Sequence, residues 1–230
     1  FTTDQIVAQT GYSKKQVQQT YIRCGIHANR YTILNQDETL KQFIIGSMLG
    51  DGCISEANGL NINSRISFGH CEKQYDYILW KSNFLNRYQL SNNHIGKYVH
   101  KSNRYITGQC ITYTFKSKTH PYFTNLRNLF YSAKGKKIKV DLVKELGPLG
   151  LAIWYMDDGN ICTRSYQIAT NGFDKEDRNF LIQVLKNNFD INATVDKNGR
   201  LYIRVDSKQK FKEIIEPYII PCMLYKLRQS

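Results

Sequence analysis

The sequence predicts an α+β chain made of two like units in tandem, preceded by a small helical segment. Three observations predict it. Two apolar helical runs each end in Asp-Gly, at Gly50-Asp51-Gly52 and at Asp157-Asp158-Gly159. Each run is followed by the same order of elements: strand, helix, hairpin, helix and a Lys. The strand segments alternate apolar and polar residues, the period of half-buried strands. Two like units in one chain imply a pseudo-dimer whose matching faces meet around an approximate two-fold axis. The expected divisions are 1–36, 37–147 and 148–230.

The first division reads as two short helices. Thr3 caps a helix through Ile6 and Val7, and Gly11 breaks it. Ser13 opens a second helix with Gln16 three residues on, the spacing of a capping box. Val17, Tyr21 and Cys24 give it an apolar stripe, and Gly25 stops it. This resembles a helix-turn-helix, in which Ser13, Lys14, Lys15 and Gln18 would meet a DNA major groove. A plain helical hairpin with a solvated face has the same pattern.

A helix then begins near Asp37 or Glu38 and presents Leu40, Phe43, Ile44, Met48 and Leu49. Ile66 and Phe68 alternate with Arg65, Ser67 and Gly69 in a strand. Tyr77 to Tyr88 reads as a helix. From Cys110 to Lys116, Ile111, Tyr113 and Phe115 share one face, and Thr112, Thr114 and Lys116 share the other. A helix over 122–131 leads to the basic run Lys134-Gly135-Lys136-Lys137. The second unit repeats the order: helix 151–156, strand 166–170, helix 174–189, hairpin 194–206. Asn198-Gly199 predicts a type I′ turn in that hairpin. Phe211 to Ile215 is helical, and the chain runs on to Lys226.

Charge narrows the function. Basic residues number 32 against 19 acidic, a net charge of +13 over 230 residues. A compact state with that surplus repels itself, so it usually serves a polyanionic partner. The excess is concentrated in residues 43–150, which carry 15 basic and 6 acidic side chains. The six Cys have no metal-knuckle spacing and read as reduced thiols of an intracellular protein. No run reaches the roughly 18 apolar residues of a membrane span. No signal-peptide pattern is read, and a chain starting on Phe1 can be a fragment of a longer one.

Duplex DNA is itself nearly two-fold symmetric, so a pseudo-dimer could lay both sheets along it. The polar strand faces would then meet DNA through Arg65, Thr112, Thr114, Lys116, Tyr202 and Arg204. An ordinary solvated sheet face shows the same alternation. The Asp-Gly ends are more specific. A carboxylate at a helix C-terminus is disfavoured by up to about 1 kcal/mol, which invites a compensating cation. Hard divalent ions take carboxylate, carbonyl and phosphate oxygens. Asp51 and the pair Asp157 and Asp158 would supply carboxylates, with free carbonyls of the last turns, those of Gly50 and Asp157 among them, beside them. Two such ends packed together would bring the ions close, the arrangement for phosphodiester hydrolysis. Lys137 and Lys226 could polarise water or offset phosphate charge. For one copy of Asp-Gly a helix-exit turn is the simpler reading; two copies, each followed by a like unit and a Lys, favour the metal.

These residues resemble the single-chain LAGLIDADG homing endonucleases. The first motif is Ile44-Ile45-Gly46-Ser47-Met48-Leu49-Gly50-Asp51-Gly52. The second is Leu151-Ala152-Ile153-Trp154-Tyr155-Met156-Asp157-Asp158-Gly159. The resemblance covers residues 40–228. It implies tandem αββαββα units whose two antiparallel sheets form a DNA-binding saddle. It implies a monomer that cuts double-stranded DNA across the minor groove at a long site and leaves 3′ overhangs. It assigns the metals, Mg²⁺ with Mn²⁺ able to substitute, to Asp51 and Asp158, and sets the Asp157 side chain aside because it fills the motif's small-residue position. Ca²⁺ is expected to bind without supporting cleavage. The basic residues map to Lys226 and to Lys137, with Lys136 as rival. Gly46, Gly50 and Ala152 match the small residues through which the family packs its two helices; Ile153 does not. The same resemblance admits an RNA maturase acting on its intron, and a regulator that binds DNA without cutting. Retention of both Asp positions and the candidate Lys residues favours the nuclease.

Overall fold

The computed structural model describes residues 7–9, 11–13, 15, 16, 19, 34–57, 62–101, 109–133 and 135–228. The chain divides into two compact units, Phe1–Glu38 and Thr39–Ser230.

In the N-terminal unit, residues 7–9 are helical. Gly11 takes φ +70° and its N–H donates to Val7 O at 3.0 Å. That is a left-handed helix exit, which glycine adopts without strain. Ser13 and Gln16 then make the reciprocal capping-box bonds. The Gln16 N–H donates to Ser13 Oγ at 3.3 Å, and the Ser13 N–H donates to Gln16 Oε1 at 2.9 Å. Ser13 and Lys15 are exposed. Lys14 and Gln18 lie outside the described residues, as do Thr3, Ile6, Val17, Tyr21, Cys24 and Gly25.

The large unit repeats itself. Its first half runs α1 (Glu38–Leu49), β1 (Cys53–Ser55), β2 (Arg65–Cys71), α2 (Tyr75–Arg87), β3 (Ile95–Lys101), β4 (Gln109–Lys116) and α3 (Pro121–Phe130). A two-stranded ribbon, β5 (Tyr131–Ser132) with β6 (Gly135–Lys136), and the short α4 (Asp141–Lys144) connect the halves. The second half runs α5 (Pro148–Asp158), β7 (Gly159–Ile161), β8 (Tyr166–Ile168), α6 (Lys175–Phe189), β9 (Ala193–Val195), β10 (Leu201–Ile203) and α7 (Lys208–Ile215). It ends in a 3₁₀ segment, Pro221–Leu227. The sheets have matching orders, β1-β2-β4-β3 and β7-β8-β10-β9, and every pairing is antiparallel.

Facing residues in the first sheet sort cleanly. Ile54, Ile66, Phe68, His70 and Phe115 are buried beneath the helices. The opposite face carries Cys53, Ser55, Arg65, Ser67, Cys71, Thr112, Thr114 and Lys116, as the registers Cys53↔Ser67, Ser67↔Lys116 and Cys71↔Thr112 require. In the second sheet Ile168, Leu201 and Ile203 are buried, while Asn160, Gln167, Tyr202 and Thr194 align on the other face. Arg204 departs from the expected face. Strand β10 stops at Ile203, and Arg204 precedes a 3₁₀ turn with its Nε 3.4 Å from Asp206 Oδ2.

Local signals otherwise hold, with one substitution of turn type. Gly199 takes φ +77°, but Asn198 is not left-handed, so the hairpin does not use the type I′ turn. Instead Gly199 N–H donates to Asp196 O, and Asp196 Oδ1 accepts from the N–H groups of Asn198 and Arg200 at 2.8 and 2.9 Å. This is a type I turn closed by a left-handed Gly, which the Asp196 side chain stabilises. Asp174 caps α6, accepting from the Asp177 N–H at 2.7 Å. The five described Cys are free thiols, as reduced Cys were expected to be. Among the described residues no helix is long and apolar enough to cross a membrane.

Helices α1 and α5 are buried almost all round, the pattern of core elements. They approach closely because small residues face each other. A Cβ on Gly46 would overlap the Gly150 carbonyl oxygen and stand 2.8 Å from Ile153 Cβ. Ile153 thus fits the contact because its partner has no side chain, and Gly150 joins Gly46 at the closest approach. At one end of the pair Gln42 closes the contact, donating to Glu145 O at 2.8 Å and accepting from the Gly147 N–H at 2.6 Å. Gly46→Ala is expected to cost about 1–3 kcal/mol by overpacking a contact made with backbone, measured as a lower urea midpoint. An unchanged midpoint would show that the helices separate freely.

Candidate active site

The C-terminal ends of α1 and α5 bring together Asp51, Asp157 and Asp158. The two ends are built alike. Lys136 of β6 donates to Gly52 O at 3.0 Å and Gly50 O at 3.4 Å. Lys226 donates to Met156 O at 2.5 Å and Asp157 O at 2.9 Å. Each Lys thus covers the free carbonyls of one helix end, where a cation is favoured. Burial pushes both ammonium groups below the usual Lys range, against the opposing pull of the nearby Asp residues.

Lys136, not Lys137, is therefore the first-half counterpart of Lys226. Lys137 is exposed and its N–H donates to Phe130 O at 2.6 Å. In the ribbon Lys136 pairs with Tyr131, and adjacent ribbon residues point to opposite sides. The register decides between two neighbouring lysines that the sequence leaves equivalent.

Asp158 is pushed up to about 7, first by burial and then by the charges of Asp51 and Asp157. Asp51 is raised for the same reasons, burial first and then Asp157. Crowded carboxylates whose burial and neighbouring charges make them hold protons more tightly than usual are the electrostatic signature of a cation-binding centre. Their hard oxygen donors fit a divalent ion such as Mg²⁺. The Gly50 and Asp157 carbonyls, expected to join them, are engaged by the two lysines instead.

Sequence reasoning missed what lies behind Asp51. The Asp157 side chain is fully buried, and its Oδ1 accepts from Lys81 Nζ and from the Tyr77 hydroxyl, each at 2.7 Å. Its Oδ2 accepts from the Asp51 N–H at 3.1 Å. Gly50 makes room for it: a Cβ there would lie 2.5 Å from the Asp157 carboxylate. Lys81 is itself fully buried, with its ammonium 4.5 Å from the ring centres of Phe68 and Tyr77. His70 Nδ1 faces Asp51 Oδ2 at 3.6 Å. Burial, then Lys81, lowers His70 to about 4, so the imidazole is neutral at physiological pH. A Lys in the middle of an apolar helix was the one available signal, since a buried Lys requires a partner.

The predicted DNA-contact residues divide. Arg65 and Lys116 line one concavity with Ser55, Asn63, Ser67 and Thr119. Thr112 and Thr114 lie on the same sheet face, and Tyr202 on the corresponding face of the second sheet. Arg204 lies instead with Ile182 and Lys186 of α6. Asn160, Gln167 and Thr194, not singled out beforehand, share the face of Tyr202.

Tandem αββ-containing halves, sheets of matched order and a carboxylate–lysine pair at each of two central helix ends define a class of two-fold-related DNA endonucleases. The profile of the LAGLIDADG DNA endonuclease family matches residues 41–212, and the chain belongs to that family. It is 30% identical over 207 residues to an uncharacterized protein of Methanocaldococcus jannaschii, covering 86% of this chain and 77% of that one. It is 31% identical over 197 residues to the cytochrome b mRNA maturase bI2 of Saccharomyces cerevisiae, covering 80% of this chain but only 46% of the maturase. Among solved structures, the homing endonuclease I-WcaI bound to its DNA recognition sequence superimposes with a TM-score of 0.71 at 28% identity, covering 84% of this chain and 88% of that one.

The buried ion pair has a stability consequence. Lys81→Met leaves the Asp157 carboxylate without its cation and is expected to cost about 3–5 kcal/mol in urea unfolding. Lys81→Met combined with Asp157→Leu removes both charges and should recover most of that loss. Equal losses from the single and double variants would contradict the pairing.

Proposed function

We propose that this protein is a site-specific homing endonuclease that hydrolyses one phosphodiester on each strand of double-stranded DNA and leaves 3′ overhangs. The observation that carries the reading is the meeting of Asp51 and Asp158 at two packed helix ends, each end covered by one Lys. Two such half-sites in a single chain match the two strands of a duplex without a second copy of the protein. The aligned polar faces of the two sheets, with Arg65, Lys116, Tyr202 and Thr112 among them, would hold phosphates and base edges along a long site.

Mg²⁺ is the proposed cofactor, Mn²⁺ can replace it, and Ca²⁺ binds without supporting cutting. When bound, the ion supplies Lewis-acid activation of water and of the phosphate. The side chains do the rest. Asp51 and Asp158 hold the ions through carboxylate oxygens. Lys136 and Lys226, with ammonium groups lowered by burial, offset phosphate charge and exchange protons with nearby water more readily than an exposed Lys.

In Mg²⁺, Asp51→Asn and Asp158→Asn should each abolish cutting of the gene sequence that flanks the coding region while retaining DNA binding. Lys136→Met should slow cutting at least tenfold and Lys137→Met should leave it near the unsubstituted rate, read from single-turnover gels. Cutting that survives in both Asn variants would remove the two Asp residues from the chemistry. A maturase of the same fold is the second reading, favoured by the yeast relative; a protein that binds its intron RNA but cuts no flanking DNA in Mg²⁺ or Mn²⁺ would establish it.

The raised Asp158 pKa gives a pH test. Its folded value, about 7, lies well above the ordinary Asp range, so the folded state binds the proton more tightly. The stability from this group is complete at low pH and is lost as pH rises through 7. A bound divalent ion replaces the proton. Millimolar Mg²⁺ should therefore raise Tm more at pH 8 than at pH 5.5, and Asp158→Asn should remove most of that difference. An equal rise at both pH values would place the ion elsewhere.

A further inference from the structure

Behind the site, the two halves are not equivalent. Cys53 pairs with Ser67 and Asn160 pairs with Gln167, so positions in β2 and α2 correspond to those one hundred further on in β8 and α6. His70 therefore corresponds to Thr170, Tyr77 to Asp177 and Lys81 to Leu181. Thr170 turns away, donating to Gly199 O at 2.7 Å in the distant hairpin. Asp177 lies in the first turn of α6, and Leu181 is an apolar core residue. The residue corresponding to Asp157 is Gly50, which has no side chain. The buried carboxylate, ammonium, phenol and imidazole thus stand behind Asp51 alone.

We propose that Asp157 is a positioning residue for Asp51, anchored by Lys81 and Tyr77 and flanked by His70, and that the two halves of the centre are ordered by different means, Asp51 from across the helix pair and Asp158 by its own helix. This rests on the functional reading above.

The geometry makes the direction clear. Both oxygens of Asp157 are committed: Oδ1 to Lys81 and Tyr77, Oδ2 to the Asp51 N–H. Asp51, His70 and Asp157 place potential ligand atoms within 4.8 Å of one another, but the Lys81 ammonium already stands beside Asp157 as its cation. The set is therefore no separate ion site; it holds the backbone of Asp51. Asp51 lies in the turn beyond the last residue of α1; its neighbours Gly50 and Gly52 still donate to Gly46 O and Ser47 O at 3.0 and 2.7 Å, whereas its own N–H donates to Asp157. Asp158, by contrast, is the last residue of α5 itself and is held by its helix. The buried carboxylate binds, from across the helix pair, the Asp51 N–H that the carbonyls of α1 do not. His70 completes the wall: its ring is buried, its Nε2 has no hydrogen-bond partner, and its Nδ1 is directed at the Asp51 carboxylate. Groups held this way by hydrogen bonds behind a ligand commonly tune metal affinity 10- to 100-fold.

The test compares two charge-free double variants. Lys81→Met with Asp157→Asn keeps an oxygen that can accept from the Asp51 N–H. Lys81→Met with Asp157→Leu removes it. Both lack the ion pair, so a merely structural role predicts equal behaviour once their Tm values match. The proposal expects the Asn variant to cut within about fivefold of the unsubstituted protein. It expects the Leu variant to cut at least 50-fold more slowly at saturating DNA, with the DNA Kd unchanged. Metal alone gives a readout independent of cutting. The Mg²⁺ concentration for half of the Tm rise should be at least tenfold higher in the Leu variant than in the Asn variant. If the unsubstituted protein cuts no DNA, the functional reading fails, yet this metal comparison still decides the positioning role. Should either double variant fail to fold, His70→Asn, which keeps a donor near Nδ1, is compared with His70→Leu by the same measurements. Equal metal midpoints and equal rates within the compared pair would overturn the proposal.

Discussion

The approach of two glycine-lined helices governs the rest of the large unit. Gly46 lies against the Gly150 carbonyl and Ile153, and Gly50 lies against the Asp157 carboxylate. Any side chain at either glycine would hold the helices apart. Their closeness brings Asp51 and Asp158 into one electrostatic environment, in which burial and then the Asp157 charge raise Asp51, and burial and then the charges of Asp51 and Asp157 raise Asp158. It also lets a carboxylate on one helix accept a hydrogen bond from the backbone of the other. Packing and chemistry share one contact, and a loss of closeness would be felt in both.

The centre concentrates charge where burial disfavours it. Three carboxylates and three ammonium groups, Lys81, Lys136 and Lys226, act on one another there. Loss of hydration on burial contributes most to the shift at Asp51, Asp158, Lys136 and Lys226. Asp157 and Lys81 resolve it by pairing fully, while Asp51 and Asp158 keep oxygens for something else.

The N-terminal unit is a separate case. Its capping box and glycine exit are local devices, each made between residues a few positions apart. Such signals are legible because nothing distant competes with them. The Asn198-Gly199 turn shows the opposite outcome. Its dipeptide favours type I′, but the Asp196 side chain binds two backbone N–H groups and selects a type I turn with a left-handed Gly. Strand β3 was also missed. Its residues Lys97, Tyr98, Val99, His100 and Lys101 form an edge strand exposed on both sides, so no apolar alternation marks it.

By itself the sequence determined the class of fold, the repeat, the two motif helices and the placement of Asp51 and Asp158 at their ends. These are properties of periodicity and of residue type at a helix end, and they survive without knowledge of distant partners. Only the tertiary structure decided between Lys136 and Lys137, because a ribbon register sets which of two adjacent side chains points inward. It removed Arg204 from the expected DNA face, because β10 ends one residue too soon. And it showed that the Asp157 carboxylate, set aside in the sequence, accepts from the Asp51 N–H and is held by Tyr77 and Lys81, 80 and 76 residues away. A contact over that distance leaves no pattern in the local sequence; it exists only when the chain has folded around it.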